Sequence, residues 1–248
     1  MVSLWIALQF LTIIPIRVKQ VDDQKISNSI IFFPVIGLFL GLVLVGAIFL
    51  FSWLHLGEMP VSIFLVVLLV ALSGGIHLDG LADTTDALLS HKDKDEMLRI
   101  MRDSHIGVMG VLSLICILLL KIALIYSMSF SIRMVSILLM CMLSRWAMVL
   151  AMYFFPYARQ EGKARAFIQG TSLKILLFAT VGTLVLAIVI WQLKGLLLMA
   201  AITLITYLIG KFIQKKINGI TGDTIGAINE LTEVLVLFII LAIERIWV

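Results

Sequence analysis

Long apolar windows recur along the chain, and short polar segments separate them. A membrane-spanning helix needs about 20 apolar residues, and windows of that kind lie at about 30–53, 61–76, 106–127, 134–155, 173–192, 195–213 and 225–248. The segment 1–16 is also apolar, but Pro15 and the bases Arg17 and Lys19 cut it short, so it predicts an interfacial or re-entrant piece. The pattern predicts an all-α polytopic transmembrane bundle of about seven spans, formed by one domain, 1–248.

Composition supports this interpretation. Apolar residues make up 62% of the chain and charged residues only 14%, against roughly 45–50% and 25% in soluble domains. A water-soluble globule is therefore excluded, and lipid is an expected partner. The net charge of +4 is too small and too dispersed for a nucleic-acid surface. Cys116 and Cys141 both lie in apolar runs, which favours buried, reduced thiols.

The basic residues predict the orientation, because loops rich in Lys and Arg stay in the cytoplasm. One set of alternate loops carries fourteen of the nineteen bases: Arg17, Lys19, Lys25, Lys92, Lys94, Arg99, Arg102, Arg159, Lys163, Arg165, Lys174, Lys211, Lys215 and Lys216. We assign the remainder to the opposite loops, namely Lys121, Arg133, Lys194 and Arg245, with Arg145 inside a span. The first set is expected to face the cytoplasm of a bacterial or archaeal cell.

Ten of the fifteen acids lie in two clusters on that same side, and three of them form the most informative motif. Asp79, Asp83 and Asp86 follow the break Gly74-Gly75 at positions i, i+4 and i+7, so they share one face of a helix. Stacked carboxylates repel one another unless a cation neutralises them. Oxygen ligands suit Mg²⁺ or Mn²⁺. We predict these three as metal ligands, the alternative being a solvated acidic helix face.

A second acidic face opens the last window. Asp223, Glu230 and Glu233 are spaced by seven and three residues, with Gly226 and neighbouring small residues in the gap. Ionisable groups inside a span are costly and are usually functional. We predict Asp223 and Glu230 as further metal ligands and Asn229 as a substrate contact; Glu233 could equally be a structural polar residue.

Candidate groups for binding an anion and moving a proton complete the set. Arg102 and Ser104 precede a span, where free backbone N–H groups can hold an anion, although plain helix capping explains them too. Further candidate phosphate contacts are Arg145, Arg159, Lys163 and Arg165. The candidate proton-transfer residues are His77, Asp86 and Asp103. Together these features predict metal-dependent chemistry on a phosphorylated substrate at the membrane.

Three polar strings resemble the cobalamin synthases, which are adenosylcobinamide-GDP ribazoletransferases. The strings are GGIHLDGLADTTDALL at 74–89, DSHIGVMGV at 103–111 and TGDTIGAINELTE at 221–233. The resemblance extends to FLTIIPI, FFPVIGLFLGL and SRWAMVLAMYFFPYAR, and so covers nearly the whole chain. The chain departs from the family pattern at His105, where Arg is more usual, and at Ala87, where Gly is common.

The resemblance implies a membrane enzyme of late cobalamin biosynthesis. A ribose hydroxyl of α-ribazole, or of its 5′-phosphate, would attack the cobinamide-linked phosphorus of adenosylcobinamide-GDP and release GMP, with Mg²⁺ required. By position it implies an acidic motif at Asp79, Asp83 and Asp86, preceded by His77, and a late motif at Asp223 and Glu230.

Two other functions remain open from the residues alone. The chemistry parallels that of the CDP-alcohol phosphotransferases, although their longer aspartate motif is absent from the sequence. A divalent-cation transporter is the other alternative, since carboxylates inside membranes also mark ion pathways. Acids concentrated at one membrane level disfavour a transport path. The oligomeric state stays open, a homo-oligomer included.

Overall fold

The computed structural model describes residues 2–16, 18, 21–162 and 164–246. Within this part the secondary structure is helical, and the β-structure is limited to an isolated bridge between Tyr157 and Ile220. The helices are α1 (Val2–Leu11), α2 (Asp23–Ser29), α3 (Phe33–Trp53), α4 (Glu58–Ser73), α5 (Ile76–Leu88), α6 (Lys94–Ile100), α7 (Val108–Tyr126), α8 (Phe130–Phe154), α9 (Arg165–Gly170), α10 (Leu173–Ile217) and α11 (Gly222–Ile246). A 3₁₀ turn, Ile30–Phe32, joins α2 to α3.

In the described part, five helical segments are long and apolar enough to cross a membrane, and the bent pair α4 and α5 adds a sixth if it counts as one span. The all-α membrane bundle is confirmed. The α1 helix has 10 residues, about 15 Å at 1.5 Å per residue, which is too short to span. That length agrees with the prediction of an interfacial or re-entrant segment.

The predicted windows 173–192 and 195–213 both fall on α10, which runs as one element of 45 residues. Its backbone leaves the helical region at Trp191 and Gln192. A Cβ on Gly195 would collide with the carbonyl of Ala187, eight residues earlier, so the chain turns sharply at this break. The arms on either side, 173–190 and 193–217, are about 27 and 37 Å long.

Helix α8 occupies the centre of the bundle, and 83% of its span window is buried. It packs against α3, α10 and α11. Gly37 and Gly41 of α3 lie directly on the α8 backbone at Cys141 and Leu138, the close approach that small residues allow between membrane helices. Both cysteines are free thiols; Cys141 is buried at this crossing, whereas Cys116 is exposed on α7, against the prediction of burial.

A 91° bend separates α4 from α5. Gly74 and Gly75 form it with φ angles of +66° and +68°, which glycine adopts without the steric penalty of a Cβ. The bend turns α5 across the end of the bundle instead of letting it continue the span. Four connecting segments meet there, at 21–29, 89–107, 155–172 without residue 163, and 218–222, and we call this the site end.

Hydrogen bonds tie the site end together. Ile220 donates from its backbone N–H to the carbonyl of Pro156, and Ala158 donates back to Ile220, both at 2.8 Å. Ser27 donates to the carbonyl of Ala166 at 3.3 Å. The loops that the charge pattern assigned to one side of the membrane are therefore neighbours in the fold.

The opposite end carries two ion pairs. Arg133 binds Glu58 and donates to the carbonyl of Met128 at 2.8 Å. Lys194 lies 2.8 Å from Glu244. The sequence assignment of Arg133 to a loop was wrong, because it is buried in the first turn of α8.

Candidate active site

Helices α5 and α11 cross at two glycines. A Cβ on Gly80 would lie 2.6 Å from the carbonyl oxygen of Asp223, and a Cβ on Gly226 would lie 3.2 Å from the Cα of His77. The crossing therefore has no room for side chains. Because the two backbones touch here, the polar residues that flank these glycines lie together at the site end.

This contact brings carboxylates from the two helices together. The charges of Asp79 and Asp223 both act on the carboxyl group of Asp83, and Arg159 is the nearby cation. Arg159 donates from Nη2 to Oδ2 of Asp223 at 2.7 Å. Asp79 is exposed, whereas Asp83 and Asp223 are half-buried. Helical spacing predicted Asp79 and Asp83 on one face, and the structure brings two other predicted site residues, Asp223 and Arg159, beside them.

The donor set fits a divalent cation that substrate helps to bind. In the described part of the chain, no three His, Cys, Asp or Glu side chains come close enough to enclose a metal ion by themselves. Mg²⁺ usually takes one or two carboxylates and completes its shell with water and substrate phosphate oxygens. The cluster of Asp79, Asp83 and Asp223 suits that second arrangement, and it does not form a complete protein cage.

A cavity of about 330 Å³ opens beside these carboxylates. Its lining includes the polar residues His77, Asp79, Arg159 and Asp223. The lining also includes the apolar residues Phe10, Ile76, Met148, Met152, Phe167 and Ile225. The cavity therefore combines charged groups with an aromatic and aliphatic wall.

His77 and Tyr157 both line the cavity. The imidazole is buried, and within the described residues its Nε2 has no hydrogen-bond partner. Tyr157 donates to the carbonyl of Glu161 at 3.3 Å, and partial burial raises the pKa of its hydroxyl above the ordinary value. His77 is thus a cavity-lining residue whose Nε2 is buried and, among the described residues, unpartnered.

Asp86 has a different environment from the one predicted. Its carboxylate accepts the backbone N–H groups of Gly107 at 2.7 Å and Gly110 at 2.8 Å. A Cβ on either glycine would collide with this carboxylate. Both oxygens thus face the N-terminus of α7, where a negative charge is stabilised by the free N–H groups and the helix dipole. Asp86 therefore caps α7, and its predicted metal and catalytic roles stay predictions.

Glu230 also departs from its predicted role as a metal ligand. It belongs to a buried ion network in which Lys121 donates to Glu230 at 2.6 Å and to Glu233, while Arg145 donates to Glu233 at 2.5 Å. These four side chains are at most 6% exposed. Buried charges require such pairing, so Arg145 is a core residue and not a phosphate contact. Lys121, assigned to a loop from the sequence, lies inside α7.

Asn229 lies in the same core. It is fully buried, and its Nδ2 donates to Glu233 at 3.1 Å. Within the described residues, its Oδ1 has no partner. The predicted contact between Asn229 and substrate is replaced by support of the ion network.

The residues before α7 are exposed at the site end. Arg102 and Ser104 are open to solvent, and Arg102 lines a groove together with Lys94, Arg99 and Arg159. Asp103 accepts the backbone N–H of His105 at 3.0 Å, and its carboxylate lies 2.6 Å from Nδ1 of the same ring. These bonds hold the pKa of Asp103 below its ordinary value. Its role as a proton-transfer residue stays a prediction.

The three remaining predicted phosphate contacts, Arg159, Arg165 and Lys163, differ in where they lie. Arg159 lies in the site, as described above. Arg165 is exposed and donates to the carbonyl of Gln160 at 3.0 Å and to Gln169 at 2.9 Å. Lys163 lies outside the described residues.

Several site residues were missed from the sequence. Gly80 lies within the acidic motif, between Asp79 and Asp83. Its contact with the backbone of Asp223 could not be predicted because the sequence does not show which helix crosses there. Phe10, Phe167 and Tyr157 lie in runs that hydropathy assigns to spans or loops. The repeated pairing of glycine with acidic residues on both helices was the one signal that could have located the crossing.

Comparisons with known proteins agree on one family. The profile described as cobalamin-5-phosphate synthase matches residues 3–241. The chain is 35% identical to the adenosylcobinamide-GDP ribazoletransferase of Desulforamulus reducens, with 98% of each chain covered. It is 38% identical to the protein of that name from Desulfitobacterium hafniense, over 95% of this chain and 94% of the relative. No solved structure is significantly similar to it.

Proposed function

Because this chain belongs to the cobalamin-5-phosphate synthase family, we propose that it is a membrane transferase acting on adenosylcobinamide-GDP. It transfers the adenosylcobinamide phosphate group to α-ribazole or to its 5′-phosphate, and GMP leaves. The reaction depends on Mg²⁺, for which Mn²⁺ can substitute. Both relatives named above are called adenosylcobinamide-GDP ribazoletransferase, and each aligns with this chain over nearly its whole length.

One observation supports this function above the others: the carboxylates of α5 and α11 and the guanidinium of Arg159 meet on the wall of one cavity. Transfer between phosphate esters requires that the negative charge on the reacting phosphate groups be neutralised. A guanidinium binds phosphate oxygens through paired hydrogen bonds. Carboxylates need a cation between themselves and a phosphate, which is the basis for proposing Mg²⁺.

One or two of the carboxylates of Asp79, Asp83 and Asp223 would hold the metal together with substrate phosphate oxygens, and the bound metal would neutralise the diphosphate and polarise its P–O bonds. Arg159 orients a non-bridging phosphate oxygen. The acceptor hydroxyl forms the new bond to the cobinamide-linked phosphorus while the bond to GMP breaks, and the electron pair of that bond leaves with GMP. The hydroxyl proton passes to His77 or to the carboxylate of Asp79, two residues that line the cavity.

The site end faces the cytoplasm in this proposal, and the protein lies in a bacterial or archaeal cytoplasmic membrane. Counted by sequence, Lys163 included, the loops gathered at the site end and the adjoining ends of α10 carry twelve of the nineteen basic residues of the chain, which supports retention on the cytoplasmic side. Nucleotide substrates and Mg²⁺ are available there.

The test is turnover by the purified protein in proteoliposomes supplied with adenosylcobinamide-GDP, α-ribazole and Mg²⁺. We expect GMP and a cobalamin product in equal amounts, and loss of both when Mg²⁺ is chelated. Asp83→Asn should lower the rate at least 100-fold, because it removes a central charge of the cluster. Asp23→Asn is the matched control, since Asp23 is exposed on α2 away from the cavity.

Wild-type turnover by Asp83→Asn would contradict the assigned site. Absence of product from the wild-type protein with both substrates and metal present would contradict the function itself. Flux of Mg²⁺ or Mn²⁺ into the same proteoliposomes without turnover would favour the transporter alternative.

A further inference from the structure

We propose that the cavity beside the α5–α11 crossing is the pocket for the acceptor, a ribonucleoside with a flat aromatic base. The diphosphate of the donor would then lie in the neighbouring basic groove, with Arg159 between the two. This inference rests on the proposed function, because it assigns the two substrates of that reaction to separate parts of the site.

Size favours a nucleoside as the occupant. Cavities that hold small ligands have volumes of about 300–1,000 Å³, and this one, at about 330 Å³, is near the lower limit. A volume of that size accommodates a bicyclic base with its ribose. A corrin macrocycle with its peripheral amide chains is several times larger than a nucleoside and must remain outside.

The apolar wall suits an aromatic base. Phe10 of α1 and Phe167 of α9 both line the cavity, and their ring centroids are 4.4 Å apart. Phe33 supports both rings from behind, at 5.8 and 6.0 Å. Met148 and Met152 of α8 add polarizable sulfur atoms to the lining, which make favourable contacts with aromatic rings. Phenylalanine faces and thioethers favour a flat, uncharged ring over a phosphate.

The polar wall suits the ribose. Asp79, Asp223, Arg159 and His77 line the same cavity as the aromatic rings. A nucleoside with its base against the phenylalanines would direct its sugar hydroxyls towards these groups. Carboxylate and imidazole acceptors at that position can take the hydroxyl proton that the proposed transfer releases.

The neighbouring groove has the opposite character. Its lining includes Lys94, Arg99, Arg102 and Arg159, with Asp95 as the acidic member. Positively charged side chains in this number attract a diphosphate. The groove is more open than the cavity, so a bulky group attached to the diphosphate can extend into solvent.

Arg159 connects the two compartments. It lines both the cavity and the groove, and its ion pair with Asp223 ties it to the carboxylate cluster. The phosphorus that receives the acceptor hydroxyl must lie where the two substrates meet. Arg159 is therefore placed at the boundary that the reaction has to cross.

Steady-state kinetics of paired variants test the division. Phe10→Leu should raise the KM for α-ribazole about 10-fold, the range expected for loss of stacking on a base, and should leave the KM for adenosylcobinamide-GDP within about twofold. Arg102→Gln should give the reverse pattern. Phe178→Leu is the matched control because this side chain on α10 is 68% exposed on the outer surface.

A second cavity variant provides an independent test in case Phe10→Leu fails to fold. Ala164→Leu adds volume to the cavity lining without removing an aromatic contact, and it should also raise the KM for α-ribazole alone. The division is overturned if both cavity variants leave the acceptor KM unchanged or raise the donor KM instead.

The outcomes also distinguish failure of the pocket assignment from failure of the proposed function. If the wild-type protein turns over but the cavity variants behave like Phe178→Leu, the function stands and the assignment of the pocket fails. If the wild-type protein does not turn over, the function fails, and equilibrium dialysis with α-ribazole then decides the pocket. Binding that Phe10→Leu weakens about 10-fold supports the pocket, and equal binding by the two proteins overturns it.

Discussion

Replacing Lys121 with methionine should destabilise the bundle strongly. The ammonium group of Lys121 binds both Glu230 and Glu233, and Arg145 binds only Glu233. Methionine has a similar length but no charge, so the variant leaves two buried carboxylates with one guanidinium. Removing one partner of a buried pair typically costs about 3–5 kcal/mol, because the remaining charge stays out of water.

That cost corresponds to a large shift in the unfolding temperature. In a chain of this size, 1 kcal/mol lowers the Tm by about 2–4 °C, so Lys121→Met should lower it by about 6–20 °C. The five tryptophans of the chain allow unfolding in detergent to be followed by intrinsic fluorescence. Scans at a fixed heating rate keep the variants comparable, since such proteins often unfold irreversibly.

The double variant Lys121→Met with Glu230→Gln provides the matched control. It removes one positive and one negative charge, so Arg145 and Glu233 remain as a balanced pair, and we expect recovery of at least half of the lost Tm. A Tm for Lys121→Met within about 2 °C of wild type would refute the reasoning. A double variant less stable than the single variant would show that charge imbalance is not the cause.

Two further predictions concern the glycine crossing and the start of α7. Gly80→Val should lower turnover at least 100-fold, because its side chain would separate α5 from Asp223; Gly182→Val, whose Cβ meets open space, should stay within about twofold in the same GMP-release assay. Asp86→Ala should cost about 0.5–2 kcal/mol through loss of a helix cap, seen as a fall in Tm of about 1–8 °C. An unchanged Tm in Asp86→Ala, or full activity in Gly80→Val, would contradict these assignments.

Local patterns in the sequence predicted much of the fold. Hydropathy located the spans because a bilayer imposes a fixed length of apolar residues. Helical spacing placed Asp79 and Asp83 on one face, and the glycine pair before them marked the bend. Each of these features depends on residues within one or two helical turns. The sequence of a single segment is therefore enough to predict it.

The contacts between segments could not be predicted in this way. Glu230 and Asp223 stand on one helix seven residues apart, yet one binds Lys121 and the other binds Arg159. Which cation meets which acid depends on how α7, α8 and α11 pack together. The capping contact of Asp86 was missed for the same reason, since its partners are backbone N–H groups, which a pattern of side chains does not reveal.

The buried ion network also constrains the order in which the bundle can be assembled during synthesis. Lys121 and Arg145 are on α7 and α8, whereas both acids that neutralise them are on α11, the last helix. A basic residue at the centre of an inserting helix costs about 2.5–3.5 kcal/mol. The two earlier helices therefore carry uncompensated charge until the C-terminal helix enters the membrane. A nascent chain that stops before the 25 residues of α11 would therefore leave both bases without the acids that neutralise them.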